Sequence, residues 1–152
     1  MWLYFYNKEI FEELNLEAPT TYEEFKNVCQ TIKDAGVVPI YEATPSGWHQ
    51  VLPLFESAGS YVKDDPDLYE KLNNNEMDIK DVEGLNTVIQ QMNEFAELGF
   101  FGEDLLSNNI EEDMARFAAE ECAIVLNTQG WGEMVQQEYP ETKDKVGFFV
   151  MP

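Results

Sequence analysis

Four short apolar runs set the limits on how this chain can fold. Residues 2–6 (W-L-Y-F-Y), 37–41 (V-V-P-I-Y), 122–126 (C-A-I-V-L) and 146–150 (V-G-F-F-V) are strand-like and carry almost no polar interruption. Successive side chains of a strand point to opposite faces, so a run such as 2–6 needs apolar cover on both sides. Segments of helical period lie between the runs. Tyr22, Phe25, Val28, Cys29 and Ile32 form one stripe, and Val82, Leu85, Val88, Ile89, Met92, Phe95, Ala96 and Leu98 form another. With 44% hydrophobic residues, 152 positions suffice for one core. The expected fold class is α/β, a layered and helix-rich domain around a small sheet.

Local signals refine this picture. A short helix is expected at 8–15, with Ile10, Phe11 and Leu14 on one side and Pro19 breaking the chain after it. Thr20 or Thr21 caps the next helix, Glu23 and Glu24 suit its positive end, and Gly36 stops it. Pro39 belongs at the start of a strand or on an edge strand. Thr44-Pro45-Ser46-Gly47 reads as a turn, and Pro53 either kinks the following helix or delays its start. Residues 63–67 and 73–75 read as polar surface loops, and further helices are expected at 81–98, near 110–119 and from Trp131 to about Tyr139. Chains normally end in polar, frayed residues, whereas this one begins and ends in core-like strands. Truncation at both ends is therefore expected.

Charge narrows the function. Thirty acids against nine bases give a formal charge of −21, which repels nucleic acid and anionic lipid. No apolar run approaches the roughly 20 residues of a membrane helix. Cys29 and Cys122 form no C-x-x-C pair and read as free, buried thiols, although a disulfide stays open at this level. His49 is the only histidine, and no G-x-S-x-G elbow or phosphate-cradling glycine motif occurs. The acidic stretch 64–67 lacks the glycine and distal glutamate of a calcium loop. Neither a catalytic residue, a cofactor nor a metal is expected.

Aromatic residues carry more. Trp48 and Trp131 each follow a glycine-containing turn beyond an expected strand, where ligands of α/β sheets gather. A sugar presents C–H faces for stacking and hydroxyls for hydrogen bonds. Glu42, His49, Asn127 and Gln129 are the polar groups nearest the two tryptophans in sequence. Both tryptophans would serve equally to anchor a helix on the sheet.

These segments together resemble a known family. Y-N-K-E-I-F at 6–11, P-T-T-Y-E-E-F at 19–25, I-K-D-A-G-V-V-P-I at 32–40, residues 117–131 and V-G-F-F-V-M-P at 146–152 are similar, in order and spacing, to the extracellular solute-binding proteins of ABC sugar importers. The resemblance implies a lobe of the periplasmic-binding-protein-like type II fold. Residues 1–152 would form a partial domain, the second of two lobes, with the first lobe and the C-terminal helices absent. It implies a carbohydrate ligand, an ABC permease partner, and an extracellular or periplasmic, lipoprotein-anchored whole protein. By resemblance Trp131 matches the tryptophan that stacks on sugar, Trp48 lies in a loop that brings an aromatic to the cleft, and Tyr4 and Tyr6 follow a crossover. Two departures stand out. Glu120 replaces a turn glycine, so that turn should be built differently, and the interval from Ile124 to Trp131 is one residue longer than the family pattern. The alternative is an interaction or scaffolding domain that keeps the lobe fold without transport, for which Trp131 should be packed beneath its neighbours. A glycoside-processing enzyme would require two carboxylates on the same wall. Surfaces bared by truncation point to a homodimer.

Overall fold

The four apolar runs become the four strands of one sheet: β1 (Trp2–Asn7), β2 (Val38–Tyr41), β3 (Cys122–Thr128) and β4 (Val146–Phe149), in the order β2-β3-β1-β4. The computed structural model describes residues 1–152, the side chain of Ser60 excepted. β2 and β3 are parallel, with Ile40 beside Ile124. β1 runs antiparallel to both its neighbours, placing Tyr4 opposite Leu126 and Phe149. The carboxyl ends of β2, β3 and β4 therefore share one edge of the sheet with the beginning of β1. Pro39 meets both of its expectations, since β2 is an edge strand and Pro39 is its second residue.

Helices cover both faces. α1 (Lys8–Glu13) starts where the Asn7 side chain accepts the N–H groups of Glu9 and Ile10. α2 (Tyr22–Asp34) is capped by Thr21, not Thr20: the Thr21 hydroxyl accepts the Glu24 N–H while the Glu24 carboxylate accepts back from the Thr21 N–H. α3 (Leu52–Glu56) carries Pro53 in its first turn, so this proline delays the helix and does not kink it. Two short helices, α4 (Ala58–Asp64) and α5 (Leu68–Asn73), lie around the polar loops. Each is too short to show a readable stripe in sequence. α6 (Glu83–Glu97), α7 (Asp113–Ala118) and α8 (Trp131–Glu138) complete the set.

One face of the sheet packs Tyr4, Ile40, Ile124, Leu126 and Phe149 against α1, α2 and α6, through Phe11, Phe25, Val28, Ile32 and Phe95. The other packs Phe5, Tyr41 and Val125 against α7 and α8, through Phe117, Trp131 and Val135. Full burial of such a side chain stabilises by about 1.5–3 kcal/mol, so both faces are needed to hold the sheet. Cys29 and Cys122 are free and buried, one in each of these two cores.

The turn before β3 contains Glu120. Glu120 adopts φ 59°, the left-handed conformation a glycine would take. Glu120 thus carries a steric cost that a glycine would not.

Candidate functional site

The shared edge of the sheet gathers most of the polar and aromatic residues singled out from sequence. Glu42 follows β2 directly and is buried. The chain then makes a 3-10 turn at Thr44–Ser46 and reverses at Gly47, whose φ of 72° admits no side chain without strain. Trp48 emerges from this reversal 46% exposed, with the fully buried His49 beneath it. The Trp48 ring lies 5.8 Å from that of Trp2, at the start of β1, and 5.5 Å from the His49 ring. Trp2 pairs with Thr128 at the end of β3, and the Gln129 N–H donates to the Met1 carbonyl. An aromatic ledge of Trp2 and Trp48 therefore stands beside the exposed Gln129.

Beneath the ledge is a buried polar system. His49 Nδ1 lies 2.9 Å from a Glu42 carboxylate oxygen and Nε2 lies 2.9 Å from the Leu126 carbonyl oxygen. Burial of the ring opposes its charge, but the Glu42 carboxylate, the Leu126 carbonyl and the negative Asp113 outweigh it and raise the pKa above the ordinary 6.5. Asp113, at the start of α7, accepts at one oxygen from both Trp131 Nε1 and Asn127 Nδ2, each at 2.8 Å. Burial raises the Asp113 pKa in spite of these donors.

Three expected contacts are elsewhere. Trp131 is 2% exposed and wedged between Phe5 and Phe117, whose ring centroids are each 5.1 Å away. It is a core residue. Gly130, the residue before it, is exposed. Tyr4 stacks on Phe149 at 5.3 Å in the core, and Tyr6 packs on Phe11 at 4.3 Å. Asn127 is half-buried and committed to Asp113. Glu42 and His49 are committed to each other. Trp2 was not singled out from sequence, although it shares a strand face with Tyr4 and Tyr6. Only the antiparallel pairing of β1 reveals that its first residue, not its middle, reaches the site.

Two concavities have neither Trp2 nor Trp48 in their walls. One, of about 220 Å³, lies between the sheet, α2 and α6 and has largely apolar walls that include Tyr4, with Glu42, Thr44 and Gln50 among its polar groups. The other, of about 670 Å³, is bordered by α3, α4 and α6 and is acidic, through Glu56, Asp64, Asp65, Asp81 and Glu83. Glu56 also accepts the backbone N–H of Trp2 at 2.9 Å. Among the described residues, no group of three or more histidine, cysteine or carboxylate side chains could hold a metal, and no helix is long and apolar enough to cross a membrane.

A small mixed sheet covered on both faces by helices is a helix-rich α/β fold of the type II periplasmic-binding-protein-like kind. The family model for bacterial extracellular solute-binding proteins matches residues 1–152, and the chain belongs to that family. Among solved structures it is similar to a chitin oligosaccharide binding protein, with a TM-score of 0.80 at 21% identity, covering 99% of this chain and 37% of that one. It is also similar to apo RafE from Streptococcus pneumoniae, with a TM-score of 0.74 at 20% identity over 99% of this chain and 39% of that one. A third is the sugar transporter BL01359 from Bacillus licheniformis in complex with stachyose, with a TM-score of 0.70 at 19% identity over 98% and 38% of the two chains. The chain thus spans less than two fifths of the length of these structures. No curated protein sequence matches it.

Proposed function

We propose that residues 1–152 are one lobe of the carbohydrate receptor of an ABC importer, a binding module without catalytic activity. The observation that carries this reading is the ledge of Trp48 on Trp2, half-exposed at the sheet edge of a chain from a solute-binding family. An exposed indole face suits the C–H face of a pyranose, and Gln129 and the Trp48 turn supply hydrogen-bonding groups at its side. The whole protein would close a second lobe over the sugar and signal occupancy to a membrane permease, ligand contacts favouring the closed state. It would be anchored outside the cell as a lipoprotein. Surfaces that another lobe would cover would pair this chain as a homodimer at high concentration, which light scattering measures.

With the ligand held on one side only, affinity for this chain alone should be weak. Nuclear magnetic resonance of the three indole N–H signals during titration with malto-, raffinose-type and chitin oligosaccharides tests the reading. Shifts at Trp48 and Trp2, with Trp131 unmoved, are expected at millimolar sugar. No shift at any indole would overturn it, and so would micromolar or tighter binding measured by isothermal titration.

Burial of Trp131 favours a second reading, an interaction domain that keeps the lobe fold without transport. That reading calls for silence in the same titration with every oligosaccharide.

A further inference from the structure

We propose that His49 is the positioning residue of the Trp48 ledge, and that it holds the ledge in place only while its ring carries two protons. The site itself is the one assigned above, so the proposal rests on that reading for its effect on ligand but not for its effect on the ledge.

The geometry leaves His49 one arrangement. The Glu42 carboxylate and the Leu126 carbonyl are both acceptors, and both ring nitrogens stand 2.9 Å from them. A neutral imidazole has a single N–H and satisfies one of the two. Only a ring that carries two protons meets both the carboxylate and the carbonyl, one proton more than a neutral ring holds. On removal of that proton the remaining N–H stays on the carboxylate, the stronger acceptor, and the Nε2 lone pair is set against the Leu126 carbonyl in a buried site, where the unmet contact is costly.

The same ring ties the turn to the sheet. β2 pairs with β3 up to Tyr41 opposite Val125 and then leaves the ladder. The next β3 carbonyl facing that side, at Leu126, is taken by His49 Nε2 in place of a strand residue. Between Tyr41 and α3, the only side-chain bonds from the turn to the rest of the fold run through Glu42 and His49, among the described residues, apart from the Asn108 amide, which donates to the Glu42 carbonyl. Trp48 is the residue before His49 and rests its ring against it.

Charged and titratable groups facing the pair are few. Glu42 comes from the end of β2 and Asp113 from α7, and both favour the protonated ring. The Tyr4 hydroxyl of β1 faces Glu42. Glu56 of α3 is held by the Trp2 N–H, and the turn from Ala43 to Pro53 carries no titratable side chain besides His49. A pKa raised in the folded state means that the contribution is complete below pH 6.5 and is lost as pH rises through the folded value.

Because this chain has a single histidine, the test is unambiguous. Long-range proton–nitrogen spectra of the ring, recorded from pH 5 to 9 without ligand, should show both nitrogens protonated at pH 6.5 and a midpoint above it. The Trp48 and Trp2 indole signals should move with that same midpoint, while Trp131 stays fixed. A ring that titrates at or below 6.5, or indoles that ignore its titration, overturns the proposal. The His49→Gln variant should remove the pH-linked movement of Trp48. If it does not fold, the wild-type titration alone decides. Oligosaccharide affinity, measured at pH 6 and at pH 9, should fall several-fold at the higher pH. Loss of sugar binding at every pH with the ring–indole linkage intact would defeat the functional reading and leave this proposal standing. Sugar binding without the linkage would do the reverse.

Discussion

Two tryptophans that look alike in sequence have opposite duties in the fold. Trp131 donates its indole N–H to the buried Asp113 and fills the space between Phe5 and Phe117. Replacing it with alanine should destabilise by about 3–5 kcal/mol, from the cavity and from the loss of one of the donors to the buried Asp113 together. Trp48 is half-exposed, so Trp48→Ala should cost no more than about 1 kcal/mol while abolishing the oligosaccharide shifts. Urea unfolding of the two variants beside the titration separates the roles. Sequence showed that each tryptophan follows a glycine turn at a strand's carboxyl end, which pointed to this edge of the sheet. It could not show which indole faces inward, because that depends on the packing of Trp131 between Phe5 and Phe117, residues distant in sequence. Glu42 and His49 were legible as neighbours of the site. Their commitment to each other and to Leu126 was not, since it depends on where β2 leaves the ladder.

Elements were more legible than contacts. The four apolar runs and the long stripes of α2 and α6 gave their own positions, and the T-x-x-E pattern at Thr21 and Glu24 appears as a full capping box. Thr21→Ala should cost about 1 kcal/mol. The hydrogen bonds from Thr20, then Thr21, hold the Glu24 carboxyl below its ordinary 4.5. A depressed carboxylate pKa stabilises above the unfolded value and ceases to do so as pH falls through the folded one, so the cap should weaken only below pH 4.5. Helicity of the wild type and of Glu24→Gln across pH 3–6, followed by circular dichroism, checks this. At the other end of the chain, a methyl group on Gly132 would sit 2.7 Å from the buried Phe5 ring, so Gly132→Ala should destabilise by about 1–3 kcal/mol. Glu120→Gly should act in the opposite direction. It relieves a left-handed strain of about 1–2 kcal/mol, of which the greater freedom of unfolded glycine cancels about 0.5–1 kcal/mol. The lost contact to Lys145, at 3.9 Å and exposed, counts for little.

At the scale of the molecule, the two cores and the charge oppose each other. Cys29 and Cys122 belong to cores on opposite faces of the sheet, so no disulfide can join them without opening the fold. Burial pushes both thiols up, and they should react with a thiol reagent only as fast as the protein unfolds. The surface acts against this closed interior. Of nine basic residues, five already pair with carboxylates, namely Lys26, Lys71, Lys80, Arg116 and Lys145. Thirty acids therefore leave a large unbalanced excess, part of it where Glu56, Asp64, Asp81 and Glu83 border one concavity. Self-repulsion of this kind weakens the compact state and is screened beyond a Debye length, about 30 Å at 10 mM salt and 8 Å at 150 mM. Exposed ion pairs lose little by the same screening, since each is worth only about 0–1 kcal/mol. Repulsion should dominate, so raising sodium chloride from 10 to 150 mM should stabilise the fold by about 1 kcal/mol, or about 3 °C in Tm for a chain of this size. Scanning calorimetry at the two salt concentrations decides the sign. A fall in Tm would mean that the five ion pairs, and not the unpaired acids, govern the balance.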